Sequence, residues 1–431
     1  MWYAFIDGQR RLARTIASQI QCGEVWSTAT AASATGPGVA VSAFRHWLLR
    51  STCAYRHAPS FGIRVVAHSG NGIDITETVV DSVPTGTLRK FTRTGTARQD
   101  HTWPVMLCAP LAGHHAVMLR ETVETLLEER DVFVSDWADA RDVPNEAGPL
   151  SLDDYVLALE RFMDSASACG PPIHVVAVCQ ATVPALAAAA LLASVRTVPF
   201  ASLSLIGGPI DTRISPTVID RFAASHTLTW FREHVIDVVP PPYRGAGRRV
   251  YPGFIQHGAL LSAHPERHVR LESAYWSNWL AGDMRAAGEA LRSLNEYAAV
   301  LDMAERYFLD ILRIVFQEHL LPRNTWWVQG RRVEPKALCR TPLCTVEGEL
   351  DDITGAGQTH CAHTLCGASS SPRDGQITVP ACNHYDLFTG PRWRDVVHPA
   401  LCSFWRDVED AASSMPVRQD KDRPTRRRRH A

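Results

Sequence analysis

The sequence predicts an α/β protein: a mostly parallel sheet with helices on both faces and a helical cap inserted near its middle. Three observations predict it. Short, continuous apolar runs recur between residues 104 and 206, each about the length of a buried strand. Stretches with helical periodicity separate them, and strands alternating with helices at this spacing need crossover connections, hence parallel pairing. From about 210 to 325 the strand signal stops and aromatic-rich helical sequence takes over, after which the alternation returns.

Taken in order, PVMLCAPL from 104 reads as the first core strand. Residues 114–128 follow as an amphipathic helix with Leu119, Val123, Leu126 and Leu127 on one face. DVFVSDW is a strand. SLDDYVLALERFMDSA is a helix, with Ser151 as its cap and Asp154 at the capping-box offset. IHVVAVC is a strand, TVPALAAAALLAS a helix with Pro184 tolerated in its first turn, and FASLSLIGG a strand. After the cap, PLCTVEGE reads as a strand, GQTHCAHTLCG as a helix, QITVPA as the last strand and about 391–411 as the final helix. Upstream, a helical N-terminal stretch leads into a Ser/Thr/Ala/Gly-rich patch near 27–42. SAFRHWLLRSTCAY then reads as a helix and FGIRVVAH as a β-like run. The expected organisation is an N-terminal extension over 1–90, a catalytic domain over 91–411 with its cap at about 210–325, and a disordered basic tail over 412–431 ending in the run Arg426–Arg429.

Composition narrows the classes. The 431 residues carry 44 basic and 45 acidic side chains, a balance that does not call for nucleic acid. The 11 cysteines have no framework spacing, and a chain of this length needs no disulfide staples. The N-terminus lacks the pattern of a signal peptide, and no apolar stretch is long enough to span a bilayer. A cytoplasmic location with reduced thiols is the expectation.

Cys179 ends a predicted strand, and a helix begins directly after it. That is the position of the nucleophile in the α/β-hydrolase fold, where a sharp turn lifts the side chain above the sheet and the helix N-terminus turns positive partial charge toward it. A neighbouring histidine favours the thiolate further. The usual G-x-S-x-G reads here Ala177-Val178-Cys179-Gln180-Ala181. The acid is expected after a later strand, in Gly348-Glu349-Leu350-Asp351-Asp352. Asp351 is preferred and Asp352 is the alternative. The base is expected in the loop after the last strand, which holds His384. Nucleophile, acid and base then occur in the chain order of α/β-hydrolases. Two backbone donors are expected for an oxyanion: the N–H of Gln180, and one from the loop containing Leu111 and Ala112, beside Gly113. No metal site and no bound cofactor are expected. His114 and His115 have no further ligand at metal spacing, and His360, Cys361, His363 and Cys366 lack a second ligand pair.

From about 104 to 411 the chain resembles the intracellular poly(3-hydroxybutyrate), or polyhydroxyalkanoate, depolymerases. The resemblance is carried by APLAGHHAVMLRETVETLL, DVFVSDWADARDVP, LDDYV, HVVAVCQATVPALAA, LIGGPIDTR, VYPGFIQ, VEGELDDITGAGQT and NHYDLFTG. It implies an α/β-hydrolase fold, a Cys179–Asp351–His384 triad, and stored polyester granules as substrate. It also implies 3-hydroxyacids or their oligomers as product, and other granule-associated proteins as neighbours. The chain departs from the family at Ala181, where proline is usual, and at Asn383 and Asp386, where glycines are usual.

Water is the expected acyl acceptor, with coenzyme A as a second one. Two rival readings remain: a polyhydroxyalkanoate synthase-like acyltransferase, and a non-catalytic granule-associated coat protein. A synthase keeps glycines around its cysteine, where this chain has Ala177 and Ala181. A coat needs an apolar surface and no triad.

Overall fold

The structure is a computed structural model that describes residues 2–24, 58–68, 71–95, 102–263, 265–367 and 375–414. The patch at 27–42, the helix expected within SAFRHWLLRSTCAY and the run Arg426–Arg429 lie outside the described residues.

Among the described residues, seven strands precede the cap: β1 (Val65–His68), β2 (Asn71–Val83), β3 (Gly86–Thr94), β4 (Val105–Cys108), β5 (Val132–Trp137), β6 (Ile173–Val178) and β7 (Phe200–Ile206). Two follow it in the same sheet, β13 (Leu343–Gly348) and β14 (Gly375–Val379). The order is β1-β2-β3-β5-β4-β6-β7-β13-β14. From β5 to β14 every pair is parallel. Three antiparallel pairings, β1–β2, β2–β3 and β3–β5, complete the other edge. The expected boundary at residue 90 therefore falls inside β3, and the sheet starts upstream of it. The antiparallel edge alternates buried and exposed positions, and it lacks the all-apolar runs that mark the central strands.

The helices are α1 (Trp2–Glu24), α2 (Arg120–Leu127), α3 (Leu152–Ser167), α4 (Thr182–Val195), α5 (Val218–Ser225), α6 (Leu228–His234), α7 (Gly253–Ala263), α8 (Pro265–Leu280), α9 (Met284–Ala298), α10 (Glu305–Ile311), α11 (Ala362–Cys366) and α12 (His398–Ser413). The capping box that starts α3 closes in both directions. Ser151 N–H donates to Asp154 at 2.7 Å and Asp154 N–H to Ser151 Oγ at 3.3 Å. α4 is apolar all round, as a helix enclosed by other elements must be, and Val183 to Leu192 are all buried. Two large apolar clusters pack the molecule. One gathers α3 and α4, the other α2 and α12, and both draw on the central strands.

The cap is mostly helical but holds three short strands that the sequence does not announce: β8 (Asp237–Val238), β9 (Arg249–Tyr251) and β10 (Met303–Ala304). Runs of two or three residues are too short to show a period of two. A further hairpin pairs β11 (Trp327–Val328) with β12 (Arg331–Arg332). α1 packs on this cap. Tyr3 Oη donates to Asp302 at 2.5 Å, and Tyr243 Oη donates to Asp7 at 2.8 Å.

Candidate active site

β6 delivers Cys179 at its C-terminal end. The residue takes φ +52°, a left-handed conformation that side chains other than glycine seldom adopt. The chain then turns at once into α4, and Thr182 Oγ1 donates to the Cys179 carbonyl at 2.8 Å, closing the turn. Space for this turn comes from a glycine. A Cβ on Gly208 would stand 1.8 Å from Thr182 Oγ1.

β13 delivers Asp351. Its Oδ1 accepts the backbone N–H groups of Ile353 at 2.9 Å and Thr354 at 2.8 Å. Its Oδ2 lies 2.8 Å from Nδ1 of His384, in the loop after β14. The side chains of Asp351 and His384 are 1% and 4% exposed, so this pair is shielded from water. The other side of the His384 ring faces the Cys179 sulfur closely enough for the two groups to interact electrostatically. Burial alone would lower the pKa of His384. The charges of Cys179 and Asp351, with the ring's hydrogen bond to Asp351, outweigh burial and push it up to about 10. Asp352 points into solvent. Gly207 takes φ +57° directly beside the imidazole, and a Cβ there would stand 3.4 Å from His384 Cε1.

A cavity of about 500 Å³ opens over Cys179 and His384. Its walls come from the sheet loops (Ala112, Ile353) and from the cap (Phe231, Phe308, Leu312), and most of them are apolar. At its mouth Val218, Ile219 and Phe222 of α5 line the cavity and are still 73%, 44% and 50% exposed. From Phe222, edge-on aromatic contacts run inward through Phe231 to Phe308. A cavity of about 620 Å³ lies at the opposite end of the strands, beside Trp103 and Pro171, and includes no residue of this cluster.

Residues 207–409 match the family model described as "PHB de-polymerase C-terminus". Over this stretch, a little under half of the chain, the protein is similar to the PHB depolymerases. That similarity fits a carboxylic ester hydrolase. No curated protein matches the chain. Among solved structures it is similar to a hydrolase of 2-hydroxy-6-oxo-6-phenylhexa-2,4-dienoate from Rhodococcus, with 16% identity over 78% of this chain and 99% of that one, at a TM-score of 0.42. It is similar also to a thermophilic esterase from Thermogutta terrifontis, with 14% identity, coverage of 80% and 97%, and a TM-score of 0.41. A third is the naproxen esterase of Bacillus subtilis, with 12% identity, coverage of 77% and 92%, and a TM-score of 0.39.

In this structure the residues expected to act are distributed as follows. Cys179, His384 and Asp351 are brought together. Gln180 and Ala112 line the cavity beside Cys179. Leu111 does not. Its side chain is buried in the core, and its carbonyl accepts the Gly113 N–H at 2.8 Å. His360 and His363 both hydrogen-bond Thr345 Oγ1, at 2.7 and 3.0 Å. The helix expected over 357–367 shrinks to α11. The Glu347 carboxylate accepts the N–H groups of Gly357, Thr359 and His360, which holds that stretch in turns.

Two site residues have no signal in the sequence. Tyr307 of α10 is fully buried in the cap and donates its hydroxyl to Gln180 Oε1 at 2.8 Å. It reads in sequence as one more core aromatic. Thr354 Oγ1 donates to the Gly207 carbonyl at 3.0 Å and thereby ties the Asp351 loop to the end of β7. Both depend on contacts between distant segments.

Proposed function

We propose that the chain is an intracellular poly(3-hydroxybutyrate) depolymerase that cuts its polymer through a cysteine acyl-enzyme. The observation that carries this reading is Cys179, held on a left-handed turn against the His384–Asp351 pair, at the floor of an apolar cavity. His384 takes the Cys179 proton, and the sulfur attacks an ester carbonyl of the chain. The oxyanion rests on the N–H of Gln180 and on one from the loop at Ala112. When the tetrahedral adduct collapses, the C–O bond breaks, His384 gives its proton to the departing alkoxide, and a hydroxyl-terminated chain leaves. The acyl unit stays on sulfur as a 3-hydroxyacyl thioester. Water deprotonated by His384 then attacks it, releases the acid and restores the thiol. Asp351 fixes the imidazole tautomer and balances the imidazolium.

The apolar walls suit an aliphatic polyester, and the exposed lip of α5 suits a substrate that enters from a water-insoluble surface. The cysteines described, Cys179 among them, are free thiols, which fits a reducing compartment and work at cytoplasmic storage granules.

The test is acid release from amorphous poly(3-hydroxybutyrate) granules by the purified protein, with and without coenzyme A. Acid release that Cys179→Ala abolishes supports the proposal. Appearance of 3-hydroxyacyl-CoA in place of acid would make CoA the acceptor. Polymer formation from hydroxyacyl-CoA would favour the synthase reading, and granule binding without any release would favour the coat.

A further inference from the structure

The walls of the catalytic cavity carry a buried imidazole that the mechanism leaves unused. His114 lines the cavity, is 3% exposed, and has no hydrogen-bond partner at either ring nitrogen among the described residues. No other side chain on these walls has a buried polar atom without a partner among the described residues. Cys179 and His384 meet each other, Gln180 Oε1 accepts from Tyr307, and Thr354 Oγ1 donates to Gly207. A buried imidazole with both nitrogens unsatisfied is destabilising, and native structures keep such a group where a ligand satisfies it.

His114 is also held in place. The Gly113 carbonyl accepts the Leu301 N–H at 3.3 Å, and His115 N–H donates to the Ala299 carbonyl at 3.0 Å. These bonds clamp the backbone on both sides of His114 to the segment after α9. Its ring lies against Tyr297, centroid to centroid 5.5 Å. Burial first, and then the nearby His257, Arg267 and His115, push its pKa down to about 3, so the ring is neutral across the working range. A neutral imidazole offers one donor and one acceptor. That pair suits an uncharged oxygen, such as an ester carbonyl or a hydroxyl. A carboxylate could use only the donor and would leave the acceptor nitrogen unsatisfied.

We propose that His114 is a substrate-binding residue that hydrogen-bonds the oxygen on carbon 3 of the acyl unit seated on Cys179. That atom is the chain ester oxygen of a polymer segment or the hydroxyl of a terminal unit. It is the atom that distinguishes a 3-hydroxyacyl group from a plain fatty acyl group of the same length. His114 lies two residues beyond Ala112 in the same loop and lines the same cavity as Cys179. An apolar wall discriminates poorly between two such chains, whereas a positioned hydrogen-bonding group rejects the one that lacks its partner. The inference rests on the depolymerase reading of the same cavity.

The experiment compares two soluble esters of one alcohol, 3-hydroxybutyrate and butyrate, by kcat/KM. The wild type is expected to prefer the hydroxy ester by at least tenfold. His114→Leu should remove most of that preference, chiefly through KM, and His114→Gln, which keeps a donor and an acceptor, should retain part of it. Because the readout is a ratio within one protein, partial misfolding does not imitate it. A preference that survives unchanged in His114→Leu overturns the assignment, as does a wild type that cleaves both esters equally, and neither result touches the depolymerase reading. A wild type that cleaves neither those esters nor the polymer overturns the depolymerase reading and this assignment with it.

Discussion

The Nδ1 atom of His384 and the Oδ2 atom of Asp351 lie 2.8 Å apart, while the other oxygen of the same carboxylate is held by two backbone N–H groups. The carboxylate therefore cannot rotate away without losing three hydrogen bonds, and it fixes which imidazole nitrogen carries the proton. Asp351→Asn is expected to lower ester hydrolysis by about 10⁴-fold, the scale seen when a triad acid is made neutral. Asp352→Asn, at an exposed position, is expected to stay within about twofold of wild type, because surface changes away from a site have small effects. Steady-state hydrolysis of a soluble ester measures both.

A pH dependence follows from His384. Its folded-state pKa is raised from 6.5 to about 10. Burial opposes that rise, and Cys179 is the first of the influences that produce it. A group raised on folding binds its proton more tightly in the native state. Its stabilising contribution is complete below about pH 6.5 and disappears as pH climbs through about 10. Cys179→Ala should therefore bring the His384 titration to lower pH, and the alkaline loss of stability with it. Ring-proton NMR and thermal melts between neutral and alkaline pH check this. An unshifted His384 titration in the variant would remove the coupling.

The strands of the parallel core were legible because each is buried on both faces and so reads as an unbroken apolar run, VMLC and IHVVAV being the clearest. Ser151 and Asp154 announced a helix start because a capping box is local chemistry. The site was legible as an order of elements: a cysteine, an aspartate and a histidine, each just past the end of a strand. Long-range facts were not legible. The β2–β3 hairpin is half exposed and polar, so the sheet looked shorter than it is. Glu347 captures three N–H groups of a stretch whose sequence suits a helix. Tyr307 reaches Gln180 across 127 residues of chain.

The Gly208–Thr182 contact yields a stability prediction. A methyl at Gly208 would clash with the Thr182 side chain, itself fully buried. Gly208→Ala is expected to cost about 1–3 kcal/mol, the usual range for overpacking. Adding Thr182→Ala should return part of it, because the shorter side chain vacates the space. Denaturant unfolding of the two single variants and the double variant measures the coupling, and additive losses would contradict the contact.

The mouth of the cavity yields a prediction about substrate form. Val218, Ile219 and Phe222 are exposed on α5, which is fixed by its own capping box and by the bond from Gln358 Nε2 to Asp220 at 2.7 Å. Replacing all three by serine should lower degradation of amorphous polymer granules at least tenfold more than hydrolysis of a soluble ester. Each apolar side chain that leaves water is worth about 1.5–3 kcal/mol. Parallel assays on the two substrates provide the ratio.

The central claim is that acyl transfer passes through the Cys179 sulfur. The most direct measurement is mass spectrometry of the protein quenched in acid during turnover of a soluble 3-hydroxybutyrate ester. The account predicts one 3-hydroxybutyryl group on the peptide that carries Cys179, absent from Cys179→Ala, which should also lose about 10⁶-fold in rate. Undiminished turnover by Cys179→Ala, or steady turnover with the acyl group trapped on a different side chain, would contradict it.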